Sequence, residues 1–291
     1  MPRTISLFAA ILLAFFGAAQ VAAQEDAAAA AEDSDARPVV LLELFTSQGC
    51  YSCPPAEELL AAEYAPRDDI LPLELHVDYW DDLIYGLAGS WEDPFSQNAF
   101  SERQFAYNRR IVGRNGGVTP QFIIHGKIAS SGSHKGRIDA AIAKVQNPAT
   151  DDDAADDVAD DNWFSRFMTA LFGVEKTQDA AQYAGDDNVR WHFENDEEGK
   201  WRAQVRGTLQ PGGDLYYAVF RRRVITEVPS GENKGKTLTN TNVVLVLQNR
   251  PLSAGRELAL PKLKEGEDCA VWVQNGGGGV VAAARCPQQS S

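Results

Sequence analysis

The sequence of 291 residues predicts an α/β domain over residues 38–146, followed by a small antiparallel β-sandwich-like domain over residues 189–291. Three observations lead to this fold class. Strand and helix patterns alternate through the first region, which is typical of a mixed sheet with helices on its faces. Seven short strand patterns, separated by Gly, Pro and Asn clusters, fill the second region. An acidic insert, residues 147–188, separates the two.

The N-terminal segment, residues 1–23, has the features of a secretory signal peptide. Arg3 precedes an apolar run that is too short for a spanning helix with stop-transfer flanks. We therefore expect cleavage after Ala23, a periplasmic or secreted location, and no membrane span in the mature protein. Residues 24–37 form an Ala-rich and acidic linker that we expect to be disordered. Disulfides persist outside the cytoplasm, and four cysteines suit two pairs.

The net charge of −14 is concentrated in two tracts that contain no basic residue. Residues 24–36 hold five acidic side chains, and residues 151–161 hold seven aspartates. Such blocks are usually solvated, so the acidity belongs to tethers and not to a folded surface. The sequence has no basic patch, and we expect no nucleic-acid partner.

The centre of the acidic insert is different from its flanks. Between Asn162 and Val174, large apolar residues recur at helical spacing and form one stripe, while Arg166 is the one charged side chain. A membrane-surface helix would carry Lys and Arg along its polar face. We therefore expect this amphipathic helix to dock on the protein itself.

The α/β region gives the order β-α-β-α-β-β-α. Short apolar runs predict its strands, and apolar residues at helical spacing predict its helices. The strands are Val39–Phe45, Ile70–Val77, Gln121–His125 and Ile128–Ser131; helices begin at Pro54-Pro55 and span Gln97–Val112 and Ile138–Val145.

A Cys-x-x-Cys motif, Cys50 to Cys53, lies where the first strand gives way to the first helix. Backbone N–H groups at a helix start stabilise an anion and lower the pKa of a thiol. We expect Cys50 to be the exposed, attacking sulfur. Cys53, one turn into the helix, would be more buried and would resolve the mixed disulfide.

Several phrases of the sequence resemble a known family: ELFTSQGCYSCPPA, HVDYW, DPF and VTPQF, and later SGENKGKTLTNTNVV. They are similar to a family of secreted bacterial thioredoxin-like proteins described as domain of unknown function 1223. The element order, the cysteine motif and Thr119-Pro120 before the third strand also fit a thioredoxin-like domain. The chain departs from the family by its acidic insert and by a second cysteine pair, Cys269 and Cys286.

The thioredoxin resemblance implies site residues beyond the cysteines. It implies a cis Pro120 that faces the cysteine pair, beside a Thr119 whose backbone would pair with an extended substrate. It also implies that Glu43, a lone charge in the first strand, accepts a proton from Cys53. The alternative for Glu43 is a structural ion pair with a base such as Lys127.

Two polar residues lie at the C-terminal end of the second strand, which is the sheet edge where ligands bind in open α/β sheets. They are His76 and Asp78, which we assign to substrate binding, although a structural role is also typical of a lone histidine. We predict no resident metal and no cofactor.

The β-rich region contains seven strand candidates: Arg190–Glu194, Lys200–Gly207, Asp214–Arg222, Asn242–Gln248, Arg256–Leu260, Asp268–Gln274 and Val280–Arg285. A hairpin around the glycines Gly276–Gly279 places Cys269 opposite Cys286, which predicts a structural disulfide. The segment Gly231–Gly235 is either a binding loop or a long hairpin turn.

Three functions remain open at this stage. The first is a thiol–disulfide oxidoreductase whose partners are protein or small-molecule thiols and disulfides. The second is a soft-metal module in which Cys50, Cys53 and His76 hold an ion such as Cu(I). The third is a non-catalytic binding protein on a thioredoxin scaffold.

Overall fold

The computed structural model describes residues 39–84, 86–147 and 188–289. The predicted signal peptide, the linker, and the insert with its amphipathic helix therefore lie outside the described residues. The strands are β1 Val40–Thr46, β2 Ile70–His76, β3 Gln121–Ile124, β4 Ile128–Ser131, β5 Arg190–Asn195, β6 Trp201–Arg206, β7 Asp214–Glu227, β8 Thr237–Pro251, β9 Glu257–Ala259, β10 Glu267–Gln274 and β11 Val280–Arg285. The helices are α1 Pro54–Leu59, α2 Asn98–Tyr107 and α3 Lys135–Gln146; single π-helical turns, Leu60–Tyr64 and Asn108–Val112, extend α1 and α2, and short 3-10 turns cover Gly86–Ala88 and Leu252–Ala254.

The architecture is α/β, with one large mixed sheet and one small antiparallel sheet. Eight strands form the large sheet in the order β11-β10-β7-β8-β2-β1-β3-β4, and three form the small sheet in the order β5-β6-β9. In the large sheet, β1 pairs with β2 and β2 with β8 in parallel, while the other neighbours are antiparallel. The order of elements predicted for residues 38–146 is the one observed.

The β-rich region does not form the separate β-sandwich-like domain that the sequence suggests. Its strands β7, β8, β10 and β11 continue the sheet that begins in the N-terminal half, and the described residues belong to one compact unit. The junction is short, because β2 and β8 share the single pair Glu74 and Val243. Side chains complete it: Glu74 accepts hydrogen bonds from Asn240 Nδ2 at 2.9 Å and from the Thr241 amide at 3.0 Å.

The two faces of β1 belong to different cores. Val40, Leu42 and Leu44 pack with α1 and α3. Leu41 and Phe45 face the other way and pack with α2 and with apolar side chains of β7, β8 and β10. Side chains alternate between the faces of a strand, so the position of a residue in β1 determines which helices it can reach. A third core joins the small sheet to β7, β10 and β11.

The Cys269–Cys286 disulfide is present in the β10–β11 hairpin, as predicted. The two Cα atoms are 5.2 Å apart, and the Cys286 amide donates to the Cys269 carbonyl at 2.8 Å. The two opposed residues are therefore hydrogen-bonded to each other through the backbone. A β-bulge between Val273 and Gln274 shifts the register by one residue toward the turn.

Among the helices in the described residues, none has the length and apolar character needed to cross a membrane. All four cysteines are in disulfides, which is compatible with an extracellular or periplasmic location.

Candidate functional site

The Cys50–Cys53 pair forms a disulfide in the turn between β1 and α1. The turn is held by its own backbone: the Cys50 amide donates to the Ser47 carbonyl at 3.0 Å, and the Cys53 amide to the Cys50 carbonyl at 3.2 Å. Pro54 then begins the helix, where proline needs no amide partner. The strand-to-helix placement read from the sequence is the observed one.

The expected difference in burial between the two cysteines is wrong. Cys50 and Cys53 are each 0% exposed, whereas Tyr51 between them is 65% exposed. A distant segment is bonded to the backbone on both sides of the buried Cys50. That segment is the turn between β7 and β8, residues 230–236, which we call the cover turn.

The cover turn is bonded directly to the backbone of the cysteine motif. Asn233 Nδ2 donates to the Gln48 carbonyl at 2.8 Å and to the Cys50 carbonyl at 2.9 Å. Glu232 Oε2 accepts the Tyr51 amide at 2.9 Å. The segment that the sequence leaves as a binding loop or a hairpin turn is a hairpin turn, and its binding partner is this protein's own motif.

The cis peptide predicted at Thr119–Pro120 is present. Trp80 connects it with the motif: its Nε1 donates to Thr119 Oγ1 at 2.8 Å. A Cβ atom on Gly49 would lie 3.4 Å from the Trp80 Cβ, so this tryptophan also packs against the turn before Cys50. The Pro120 carbonyl accepts the amide of Gly132 at 2.9 Å, and the substrate contact predicted for the Thr119 backbone stays a prediction.

Glu43 does not face the cysteine helix. It lies on the face of β1 that carries Leu41 and Phe45, whereas α1 packs on the opposite face. Arg103 holds it through Nε at 2.6 Å and Nη2 at 3.2 Å, and Tyr107 donates to it at 2.6 Å. The base paired with Glu43 is Arg103 and not Lys127, and the expected proton transfer from Cys53 to Glu43 has no support in this geometry.

A different carboxyl group lies near the motif, on the correct face of the sheet. Glu57 is in the first turn of α1, four residues after Cys53, and its amide donates to the Cys53 carbonyl at 3.2 Å. The hydroxyl of Thr46, at the end of β1, donates to Glu57 Oε1 at 2.5 Å. Burial, and next the charge of Glu74, raise the pKa of Glu57 from 4.5 to about 8. This group therefore holds a proton at neutral pH.

His76 is completely buried between two carboxylates. Its Nδ1 lies 2.7 Å from Asp93 Oδ2, and its Nε2 lies 3.6 Å from Glu74 Oε2. Burial alone would lower its pKa, but Asp93 and then Glu74 outweigh burial and raise the pKa to about 10. Asp93 also accepts the Gln48 amide at 2.7 Å. His76 is thus a buried cation that joins β2 to the motif, and it is not exposed at the sheet edge.

Asp78 has a local role. Its Oδ1 accepts the Ser101 hydroxyl at 2.5 Å, and its amide donates to the same Ser101 oxygen at 3.1 Å. These bonds fasten the end of β2 to α2 and leave the side chain part-buried. The substrate contact predicted for Asp78 remains a prediction.

The described residues contain no group of three or more His, Cys, Asp or Glu side chains arranged to hold a metal ion. In this structure Cys50 and Cys53 are bonded to each other, and His76 is engaged by Asp93 and faces Glu74. The three residues of the soft-metal alternative are therefore not gathered into one site.

The sequence contained weak signals for the residues that it did not identify. Glu57 is an acidic residue one helical turn after Cys53, which places both on one side of a helix. Glu232 and Asn233 stand between Gly231 and Gly235, a pattern that indicates a tight turn. No local pattern indicates what such a turn will contact, so its position over the cysteines is visible only in the fold.

Fold and site together define the class: an α/β protein with a large mixed sheet and a covered disulfide at the first strand–helix junction. The chain matches the family model described as "Protein of unknown function (DUF1223)" over residues 41–170 and 172–274. It belongs to that family. This confirms the resemblance to the family of unknown function 1223.

One solved structure is similar over most of its length: the crystal structure of a protein from Agrobacterium tumefaciens, from a structural genomics consortium. It has 25% sequence identity and a TM-score of 0.57, over 88% of this chain and 98% of that one. A match to an endonuclease/exonuclease/phosphatase structure from Beutenbergia cavernae has 15% identity and a TM-score of 0.17, over 35% of this chain and 24% of that one; it supports no argument. Comparison with curated proteins gives no match.

Proposed function

We propose that this chain is an exported thiol–disulfide oxidoreductase with a thioredoxin-like core, and that Cys50 and Cys53 exchange electrons with thiols of proteins or small molecules. One observation supports it most directly. A disulfide at the β1–α1 junction shares the start of α1 with Glu57, a buried carboxyl group whose pKa is about 8. A carboxyl group that gains and loses a proton near neutral pH is suited to thiol–disulfide chemistry, in which a thiolate must be protonated or a thiol deprotonated.

The thioredoxin-like assignment draws support from three features. The elements of the N-terminal half follow the order β-α-β-α-β-β-α. The cysteine pair lies between the first strand and the first helix, and a cis Thr119–Pro120 bond precedes β3. The four strands β7, β8, β10 and β11 would then be an extension of that core.

The reaction in one direction is a balanced exchange with a dithiol substrate. A substrate thiolate attacks Cys50 Sγ, which forms a mixed disulfide and breaks the Cys50–Cys53 bond. Cys53 leaves as a thiolate and takes a proton. The second substrate thiolate then attacks the mixed disulfide, so the substrate becomes a disulfide, two electrons pass to the protein, and Cys50 leaves as a thiolate.

Glu57 is the group that we assign to the proton step. In its neutral form it supplies a proton when Cys53 leaves, and in its ionised form it accepts one when Cys53 attacks. Because its pKa lies near the operating pH, both forms are accessible. This is the role that the sequence had suggested for Glu43.

Steady-state assays on oxidised protein test the proposal. We expect the wild type to oxidise a dithiol peptide catalytically in the presence of an oxidising glutathione buffer, and a Cys50→Ala variant to be inactive. Cys53→Ala should accumulate a mixed disulfide at Cys50, measured by mass spectrometry of acid-quenched samples. Cys269 and Cys286 are the internal control, because their bond should stay intact. Equal activity in the wild type and Cys50→Ala would contradict the proposal.

The Glu57 assignment has its own comparison. Glu57→Gln should slow the release of Cys53 about 10²-fold or more, the range typical of a lost acid–base group. Glu58→Gln, on the exposed side of the same helix, should not. The same rate in both variants would exclude Glu57 from the proton step.

The binding-protein alternative also has one supporting observation. An open pocket of about 590 Å³ lies beside Arg103, Tyr216 and Gln274, on the face of the sheet away from α1. Its size suits a small ligand. A thermal-shift screen of small polar molecules would test this role, with Tyr216→Ala as the control that should abolish any shift.

A further inference from the structure

The cover turn is built to be short and to approach other backbone closely. Gly231 and Gly235 have φ angles of 76° and 81°, a region that glycine adopts without strain. A Cβ atom at Gly231 would lie 2.9 Å from Trp91 Cβ, so a larger residue would not fit. The Gly231 amide donates to the Ala88 carbonyl at 2.9 Å, and the Ser230 hydroxyl to the Ser90 carbonyl at 2.7 Å. One side of the turn is therefore fastened to the segment before α2.

The other side of the cover turn is fastened by Asn233, whose side chain is 0% exposed. Both donor bonds of its amide go to carbonyls of the cysteine motif, those of Gln48 and Cys50. Its Oδ1 accepts Lys236 Nζ at 2.8 Å. A buried polar group without a hydrogen-bond partner is costly. Because Asn233 and the two carbonyls satisfy one another in the closed turn, these bonds strongly favour the closed position.

Glu232 and Lys236 complete the contact on the exposed side of the motif. Glu232 binds the Tyr51 amide, and the Lys236 ammonium lies 4.3 Å from the centre of the Tyr51 ring. Lys234, in the same turn, is exposed and has no side-chain hydrogen bond or ion pair among the described contacts. It is therefore a matched control position within the turn.

The closed turn conflicts with exchange at Cys50. An attacking thiolate must approach the sulfur along the disulfide axis, yet Cys50 is 0% exposed. Moreover, Asn233 and Glu232 bind the Cys50 carbonyl and the Tyr51 amide, the backbone groups that a polypeptide docked beside Cys50 would compete for.

We propose that the cover turn is an internal competitor for the peptide substrate: Asn233 and Glu232 hold it over Cys50, and a cysteine-containing polypeptide reacts after it displaces them. This inference rests on the oxidoreductase function for its substrate class. The effect of the cover turn on access to Cys50 does not depend on that function, because the turn would slow any reagent that attacks this sulfur. Asn233 and Glu232 are positioning residues in this scheme.

The test measures the reduction of the Cys50–Cys53 disulfide by excess dithiothreitol, followed by alkylation and mass spectrometry. Dithiothreitol supplies two electrons and becomes a cyclic disulfide, while Cys50 and Cys53 become thiols. We expect Asn233→Ala to accelerate reduction about tenfold, the rate change that corresponds to about 1.4 kcal/mol in favour of the open turn. Lys234→Ala should react at the wild-type rate. Equal rates in Asn233→Ala and Lys234→Ala would overturn the proposal.

Two further measurements keep the test decisive. If Asn233→Ala does not fold, Glu232→Gln preserves the shape of the turn and should accelerate reduction about threefold by weakening one charge-assisted bond. Hydrogen exchange at the Tyr51 amide should also quicken in Glu232→Gln, and unchanged exchange together with an unchanged rate would refute the scheme.

A comparison of a cysteine peptide with glutathione distinguishes this proposal from the oxidoreductase function. In the wild type, a cysteine peptide should react with Cys50–Cys53 at least tenfold faster than glutathione at equal thiolate concentration, because its backbone replaces the bonds of the cover turn. In Asn233→Ala that preference should shrink. A wild type that reacts with both thiols equally fast would remain an oxidoreductase but would not have this competitor.

Discussion

The protonated state of Glu57 predicts how stability depends on pH. Its folded-state pKa of about 8 lies above the ordinary value of 4.5. The unfolded chain therefore releases this proton at lower pH than the folded protein does. A raised pKa contributes stability that is complete below pH 4.5 and is lost as the pH rises through 8. Oxidised wild-type protein should be less stable at pH 8 than at pH 5.

The magnitude follows from the two pKa values. Each unit of difference is worth about 1.4 kcal/mol, so Glu57 should remove roughly 3 kcal/mol from the free energy of unfolding between pH 5 and pH 8. His76 acts in the same direction at higher pH, since its raised pKa of about 10 means that its contribution is lost between pH 6.5 and pH 10. Glu57→Gln removes the Glu57 part because glutamine does not ionise.

Urea unfolding at pH 5, 6, 7 and 8 measures this dependence, with both disulfides kept intact. We expect the wild type to lose stability steadily across the series, and Glu57→Gln to lose roughly 3 kcal/mol less. Glu58→Gln, an exposed change on the same helix, should follow the wild type. If the curves of the wild type and Glu57→Gln run parallel, Glu57 does not keep its proton in the folded state.

The remaining predictions concern the rest of the fold. Arg103→Met should cost about 3–5 kcal/mol in urea unfolding because it leaves Glu43 buried without its cation, and Glu43→Leu in the same chain should recover most of that loss. Replacing Cys269 and Cys286 by alanine should lower the unfolding free energy by about 3 kcal/mol; an unchanged urea midpoint would contradict a stabilising role for the bond. Gly278→Ala should lower the free energy of unfolding by more than about 1 kcal/mol, because Gly278 has a φ of 79° and a Cβ atom there would lie 2.5 Å from the Arg110 guanidinium. A smaller loss in thermal unfolding would show that the turn adapts.

Local patterns were enough for the features that depend on neighbouring residues. The apolar run that becomes β1 is buried along its whole length, and Pro54 follows the motif where a helix tolerates proline. The register that pairs Cys269 with Cys286 depends on one turn in the same hairpin, and it was predicted from the glycines alone.

The features that sequence reasoning missed depend on contacts between distant segments. Asn233 reaches Cys50 across a sequence separation of 183 residues, and Asn240 reaches Glu74 across 166. The sequence left the role of Glu43 open between a proton acceptor and an ion pair, because strand alternation alone does not tell which face packs against which helix; the structure shows the ion pair, with Arg103 as the base. Side chains that bind at such distances leave no local periodicity, so the burial of Cys50 was not visible in the sequence.

The position of the cover turn has a consequence for biosynthesis. A chain made from its N terminus presents the two cysteines of the motif long before residues 230–236 exist. In the folded protein both cysteines are buried and the hairpin is bonded to the backbone of the motif. Oxidation while the nascent chain is still incomplete should therefore be faster than oxidation of the completed, reduced protein. Under the scheme proposed above, the complete protein opens this hairpin before Cys50 reacts, whereas the incomplete chain needs no such step.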